Sequence, residues 1–275
     1  MGRRKTSLDD TVGPGMSSGP NPIAVGLSVF RSLMSVRRPR PFGVEAVDHS
    51  PLSPALERLD REGPGVLSGL AEELESYRRS MERIDPDTLG RHEALAFWIN
   101  LYNAGALILA DQAQRDGVES VLGVPGGFRH RFVEVAGEDL SLDDIEHGKL
   151  RRFGDPRIHA ALVCGSVSCP TLRGEPYTGD RLDDLLDDQL SHFLAAGALQ
   201  TDSSRAVVYL SRVFLWFGAD FVRPHRMPAF LPARKSQVLA ALTPWIDPSA
   251  RKWIETVEPG VEFQRYDWGL SCEVR

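Results

Sequence analysis

Leu67, Leu70, Leu74, Tyr77 and Met81 recur at helical spacing with charged residues between them, which predicts a helix over about 66–84 that covers a core. From Arg91 to Asp111 the chain is apolar nearly all round, the pattern of a central helix packed on several sides. Its apolar stretch, Ala94 to Ala110, is interrupted by Asn100 and Asn103 and falls short of the roughly 20 residues of a membrane span. The runs Arg131–Ala136 and Asp139–Leu142 flank Gly137-Glu138 and predict a hairpin. Ser141 followed by Asp144 reads as a capping pair for a helix through Arg152. The apolar run Ile158–Cys164 (IHAALVC) predicts a short buried strand. Thr178–Ala196 is strongly amphipathic, with Leu182, Leu185, Leu186, Leu190, Phe193 and Leu194 on one side. A strand over 206–210, a helix over 211–221, two further helices and a strand near 261–268 complete the pattern. Strands and helices mix without a regular βαβ repeat. The expected class is therefore α+β: a mostly helical single domain around a buried central helix, with a small, mainly antiparallel sheet.

The chain ahead of this pattern is different. Up to Pro22 it is Gly, Ser, Pro and charge without hydrophobic period, which predicts disorder. Ile23–Val36 places Leu27, Phe30, Leu33 and Met34 on one face, and Arg37, Arg38 and Arg40 follow. A short amphipathic helix fits there, either docking on an interface or partner or packing loosely on the body. The expected division is a flexible basic tail over 1–43 and one globular domain over 44–275.

Composition narrows the partners. Apolar residues make up 42% and charged residues 25%, which suits a globular fold and not a disordered chain. The net charge of -6 is uneven, because residues 1–45 hold an excess of basic side chains and leave the remainder acidic. An acidic body repels phosphate backbones, so no nucleic-acid partner is expected. A peptide or small-molecule ligand is, and a membrane surface enters only through the tail. Three cysteines, an odd number, argue for a reducing compartment, and polar sequence after Arg3, Arg4 and Lys5 argues against a secretory leader. The expected location is cytoplasmic. With no phosphate-binding loop, dinucleotide fingerprint or zincin motif, no cofactor is expected.

Two segments concentrate the candidate chemistry. On the central helix, Glu93, Asn100 and Asn103 form one polar stripe in apolar surroundings, so each needs a hydrogen-bond partner. They tie down loop backbone or orient a catalytic group. The segment 157–177 carries His159, Cys164 and Cys169. Cys169-Pro170 places a thiol at a turn or helix start, where unpaired backbone N–H groups lower a thiol pKa, so Cys169 is the better nucleophile candidate and Cys164 the better core residue. The base must arrive by folding, from His159, His147 or His130. The alternative is that both cysteines are small buried apolar residues. Neither a zinc site at the two cysteines nor a metal site at Asp183, Asp184, Asp187 and Asp188 is favoured. The four-residue cysteine gap lacks a second paired half, and consecutive carboxylates on a helix point in different directions.

The strings AFWINLYNA (96–104), SLDDIEHGKLR (141–151), DPRIHAALVCGSVSCPTLR (155–173), LSRVFLWFGADF (210–221) and YDWGLS (266–271) resemble the family known as domain of unknown function 547, found in bacteria and plants. The resemblance picks out Trp98, Asn100, Tyr102, Asn103, Glu146, His147, Arg157, His159, Cys164, Cys169, Tyr266, Asp267 and Trp268. It departs at Ser271, where the family often has Asn. The resemblance implies little about activity; the cysteines and histidines themselves carry the expectation of a thiol-dependent hydrolase or acyltransferase. Cys169 is its nucleophile, His159 its base, and Glu146 or Asn100 the orienting group, with Asn103, Trp98, Arg157 and Asp267 at the substrate. The alternatives are a non-catalytic ligand-binding module and an interaction domain recruited by the tail.

Overall fold

The computed structural model describes residues 22–275, so the disordered segment expected over residues 1–21 lies outside the described residues. The chain runs through α1 (Pro22–Ser35), α2 (Ser53–Glu62), α3 (Ala71–Met81), α4 (Arg91–Arg115), β1 (Arg131–Val135), β2 (Glu138–Ser141) and α5 (Ile158–Ala161). It continues with α6 (Leu182–Phe193), β3 (Leu199–Asp202), β4 (Val207–Leu210), α7 (Val213–Val222), α8 (Lys235–Leu242), α9 (Pro248–Val257) and β5 (Gly260–Phe263). The fold is mostly helical α+β. Strands β1 and β2 pair antiparallel, and the second sheet has the order β3-β4-β5, antiparallel then parallel.

Helix α4 has the length and apolarity of a membrane span, but 89% of its apolar window is buried inside the protein. It is the axis of one hydrophobic core, covered by α2, α3, the hairpin and the first half of α6. The second half of α6 (Leu190, Phe193) joins α7, α8 and the three-stranded sheet in another core. Leu67, Leu70 and Leu74 are fully buried, as their spacing predicts, and each truncation to Ala costs about 2–5 kcal/mol.

The helix expected over 66–84 is divided: Pro64–Leu70 forms 3₁₀ turns and only Ala71–Met81 is α-helical. Pro64, Gly65 and Gly69 are poor α-helix formers, which accounts for the tighter start. The hairpin turn falls on Ala136-Gly137, both at positive φ (50° and 77°), one residue earlier than expected. The buried strand expected at Ile158–Cys164 is instead helix α5, followed by extended chain from Leu162. A short apolar run does not separate strand from helix by period, and Pro156 starts the helical turn.

The pair Ser141 and Asp144 caps as expected: the Ser141 hydroxyl donates to Asp144 Oδ2 at 2.8 Å and its backbone N–H donates to the same oxygen at 3.2 Å. The helix continues not as α but as a π-helical turn over Asp144–Lys149, a widening that recurs at functional sites. Helix α1 rests on this turn, where Ser32 donates to Asp144 Oδ1 at 2.7 Å and Ser28 to Asp143.

Candidate functional site

The loop from Leu162 to Cys169 crosses the seam between the two cores. Asn103 anchors its entry, donating to the Ala161 carbonyl at 3.0 Å and accepting the Val163 N–H at 3.1 Å. Asn100 clamps another segment in the same way, bonding both the carbonyl and the N–H of Tyr177 at 2.7 and 2.9 Å. Both amides are spent on backbone, which is the loop-tying role, and Asn100 orients no catalytic side chain. Glu93 completes the stripe by accepting the N–H groups of Val47 and Gly179 at 3.1 and 2.9 Å.

Gly165 turns the loop at φ +72°, and a Cβ there would meet Val121 at 3.2 Å. The C-terminal segment then zips onto it: Val167 N–H bonds Gly269 O at 2.9 Å, Ser271 N–H bonds Gly165 O at 3.0 Å, and Asp267 N–H bonds the Ser168 hydroxyl at 2.9 Å. This brings Tyr266 to the thiols. Cys164 Sγ lies 3.0 Å from Ser166 Oγ and 3.2 Å from Tyr266 Oη, and those two oxygens are 2.9 Å apart.

The two cysteines are half-buried and free, and they differ in chemistry. The Cys164 N–H donates to Cys169 Sγ at 2.8 Å. The neighbouring Cys169 thiol, reinforced by the Ser166 and Tyr266 hydroxyls within hydrogen-bond reach of the sulfur, brings the Cys164 pKa down to about 6 against the opposing effect of burial. Burial, then the neighbouring Cys164, raises Cys169 well above the ordinary thiol range. Of the two, the surroundings of Cys164 favour loss of the thiol proton and those of Cys169 oppose it. Pro170 begins no helix, so the helix-start dipole expected at Cys169-Pro170 is not present.

Around the thiols lies a set of buried polar groups. Glu146, on the π-helical turn, accepts from Tyr102 Oη at 3.2 Å, and burial raises its pKa to about 7, with Arg151 opposing. Burial, then the charges of Glu146, Cys164 and Cys169, raise Tyr102 well above the usual phenol range. Glu146, Tyr102 and both thiols therefore feel one another's charge.

His159, on α5, is buried and stacks on Phe217 with centroids 4.0 Å apart. Its Nε2 meets Asp220 Oδ2 at 2.9 Å. Asp220 also accepts two bonds from Arg151, at 2.8 and 3.1 Å, and the Ala229 N–H at 2.7 Å. Burial pushes the Asp220 pKa up, but His159 and Arg151 outweigh it and hold the carboxyl well below its ordinary range. Burial lowers His159 despite Asp220, so its ring is neutral at neutral pH. Among the described residues, neither thiol hydrogen-bonds a histidine. His147 is buried, pushed well below the usual imidazole range by burial and then by Arg151, and its Nδ1 has no hydrogen bond.

The side chains of the other expected ligand-binding residues make no hydrogen bond to either thiol among the described residues. Trp98 is buried beneath Lys149, whose Nζ lies 5.4 Å from the ring centroid. Arg157 binds Asp155, Asp183 and Asp187, which gives two of the acids on α6 an ion-pair role. It lines a separate cleft of about 380 Å³ with His92 and Trp245. Asp267 is exposed, and its carboxylate caps the turn at Gly269 N–H at 2.8 Å. A cleft of about 260 Å³ beside the thiol loop is lined by Ser168, Cys169, Gln200, Gln264 and Glu273. Among the described residues no three His, Cys, Asp or Glu converge as a metal site.

Asp220, Arg151 and Ser166 are absent from the expected site. Asp220 had a signal, since it is the only charge in VFLWFGADFV. A buried acid of that kind requires a partner.

Residues 86–194 match the family model described as protein of unknown function, DUF547. No curated protein and no solved structure matches the chain. The matched span contains Tyr102, Glu146, Arg151, His159 and both loop cysteines, and it ends before Asp220 and Tyr266. Over residues 86–194 the chain is thus similar to the family of unknown function DUF547.

Proposed function

We propose that this domain is a thiol-dependent hydrolase or acyltransferase with Cys164 as nucleophile. The observation that carries the reading is the environment of Cys164 Sγ, which sits against the Ser166 and Tyr266 hydroxyls at 3.0 and 3.2 Å and against the Cys169 thiol. These donors favour the thiolate, the form that attacks a carbonyl. Glu146, near pKa 7, is available as both acid and base at neutral pH. In the proposed cycle Cys164 Sγ adds to an ester, thioester or amide carbonyl, and the protonated Glu146 gives its proton to the departing group as the acyl bond breaks. The resulting thioester passes its acyl group to water or to an acceptor amine or alcohol. The Glu146 carboxylate takes the proton of that incoming group, and Cys164 leaves as thiolate. His159, held by Asp220 and stacked on Phe217, is a positioning residue.

The 260 Å³ cleft beside Cys169 favours a second reading, a module that binds a peptide or small ligand without turning it over. Incubation with p-nitrophenyl acetate separates the two. The enzyme reading expects one acetyl group on the peptide carrying Cys164, lost in Cys164→Ser and retained in Cys169→Ser. An unlabelled protein, or label on Cys169 alone, contradicts it.

A further inference from the structure

Helix α1 is mounted with its polar side inward. Ser28 and Ser32 are buried and bond Asp143 and Asp144, while Leu27 (64% exposed), Phe30 (62%) and Met34 (72%) form one stripe facing solvent. A surface helix with this composition ordinarily turns its apolar stripe to the core. Here two serine–carboxylate contacts hold it the other way round. Val36 fixes the end of the helix in the core, and Arg152 binds the Val36 carbonyl at 3.0 Å.

The stripe has a charged border. Residues 22–43 contain Arg31, Arg37, Arg38 and Arg40 and no acid. Arg31 pairs with Asp144 at 3.6 Å and Arg37 with Asp87 at 3.5 Å. Arg38 and Arg40 are exposed and form no ion pair among the described residues. Burial raises the Asp143 carboxyl, and the charges of Arg31 and the exposed Arg129 oppose it in part. The rest of the chain is acidic. A second copy of the chain seated on this face by a twofold axis would bring its own arginines against these, a repulsive arrangement. An anionic surface would not.

We propose that α1 and its arginines form a docking face for an anionic lipid bilayer, with Leu27, Phe30 and Met34 entering the headgroup boundary and Arg38 and Arg40 meeting lipid phosphates. This stands independently of the thiol chemistry. The test is sedimentation of the full chain with vesicles of equal parts phosphatidylglycerol and phosphatidylcholine, against phosphatidylcholine alone. The protein should bind only the anionic vesicles and release in high salt. Phe30→Glu should remove binding, and the double variant Arg38→Ala/Arg40→Ala should weaken it by about thirtyfold, both without loss of fold, because these side chains are exposed. Three results would overturn the proposal: no preference for anionic vesicles, Phe30→Glu binding like the parent, or a dimer in light scattering that Phe30→Glu dissociates.

Discussion

The backbone N–H of Cys164 donates to the sulfur of Cys169 at 2.8 Å, and this contact seats the two thiols side by side in one loop. Two hydroxyls then reach Cys164, whereas Cys169 faces the more distant Leu162 carbonyl at 3.9 Å. The two sulfurs therefore have different hydrogen-bond surroundings.

Tyr266→Phe and Ser166→Ala each remove one donor to the Cys164 thiolate. A hydrogen bond to a charged group contributes about 1.5–3 kcal/mol, so each change should raise the Cys164 pKa by about 1–2 units. The pH dependence of the thiolate absorbance near 240 nm, followed in a background of Cys169→Ser and Cys272→Ser, reads this directly.

Glu146 should destabilise the folded protein above neutral pH. Its folded pKa of about 7 exceeds its value in the unfolded chain, so the folded state holds the extra proton and stability falls as pH rises from about 4.5 to about 7. Glu146→Gln removes that term, and the variant should gain on the order of 3 kcal/mol at pH 8 in urea unfolding while losing acyl transfer. A variant no more stable than the parent would place Glu146 in an ordinary structural role.

Asp220→Asn acts in the opposite direction. It leaves Arg151 buried beside a neutral amide, and a loss of about 3–5 kcal/mol is expected. Because the Asp220 pKa is depressed, its contribution is fully present above the ordinary carboxylate range and disappears as pH falls through the lower folded value. From pH 6 to about pH 4 parent and variant should therefore run parallel, and below about pH 4 the parent should lose stability more steeply than the variant.

Asn100→Ala and Asn103→Ala should each cost about 1–3 kcal/mol, since both leave buried backbone groups unpaired. They should differ in chemistry. Asn103 holds the residue just before Cys164, so its loss should slow alkylation of Cys164, whereas Asn100 holds Tyr177 and should leave that rate unchanged.

Elements with a long amphipathic or wholly apolar pattern were legible in the sequence: α4, α6 and the hairpin follow from residue spacing alone. Helix α5 was not, because four residues of apolar sequence carry no period. The polar stripe on α4 announced that Asn100 and Asn103 needed partners, but that those partners were loop backbone depends on contacts 77 and 58 residues away. The preference for Cys169 rested on local turn chemistry. One of the groups at Cys164 is Tyr266, 102 residues downstream, which no local reading of the loop contains. Asp220 is the instructive omission, since a lone acid in an apolar helix signals a buried partner even when the partner is unknown.

The most direct test of the central claim is the rate of iodoacetamide alkylation at Cys164 and Cys169 as a function of pH, read by peptide mass spectrometry on the native, reduced protein. The proposed assignment predicts that Cys164 reacts first, at a pH below the ordinary thiol range, and that Cys169 lags. Faster reaction at Cys169, or protection of Cys164 until the protein unfolds, would contradict the assignment of Cys164 as the nucleophile.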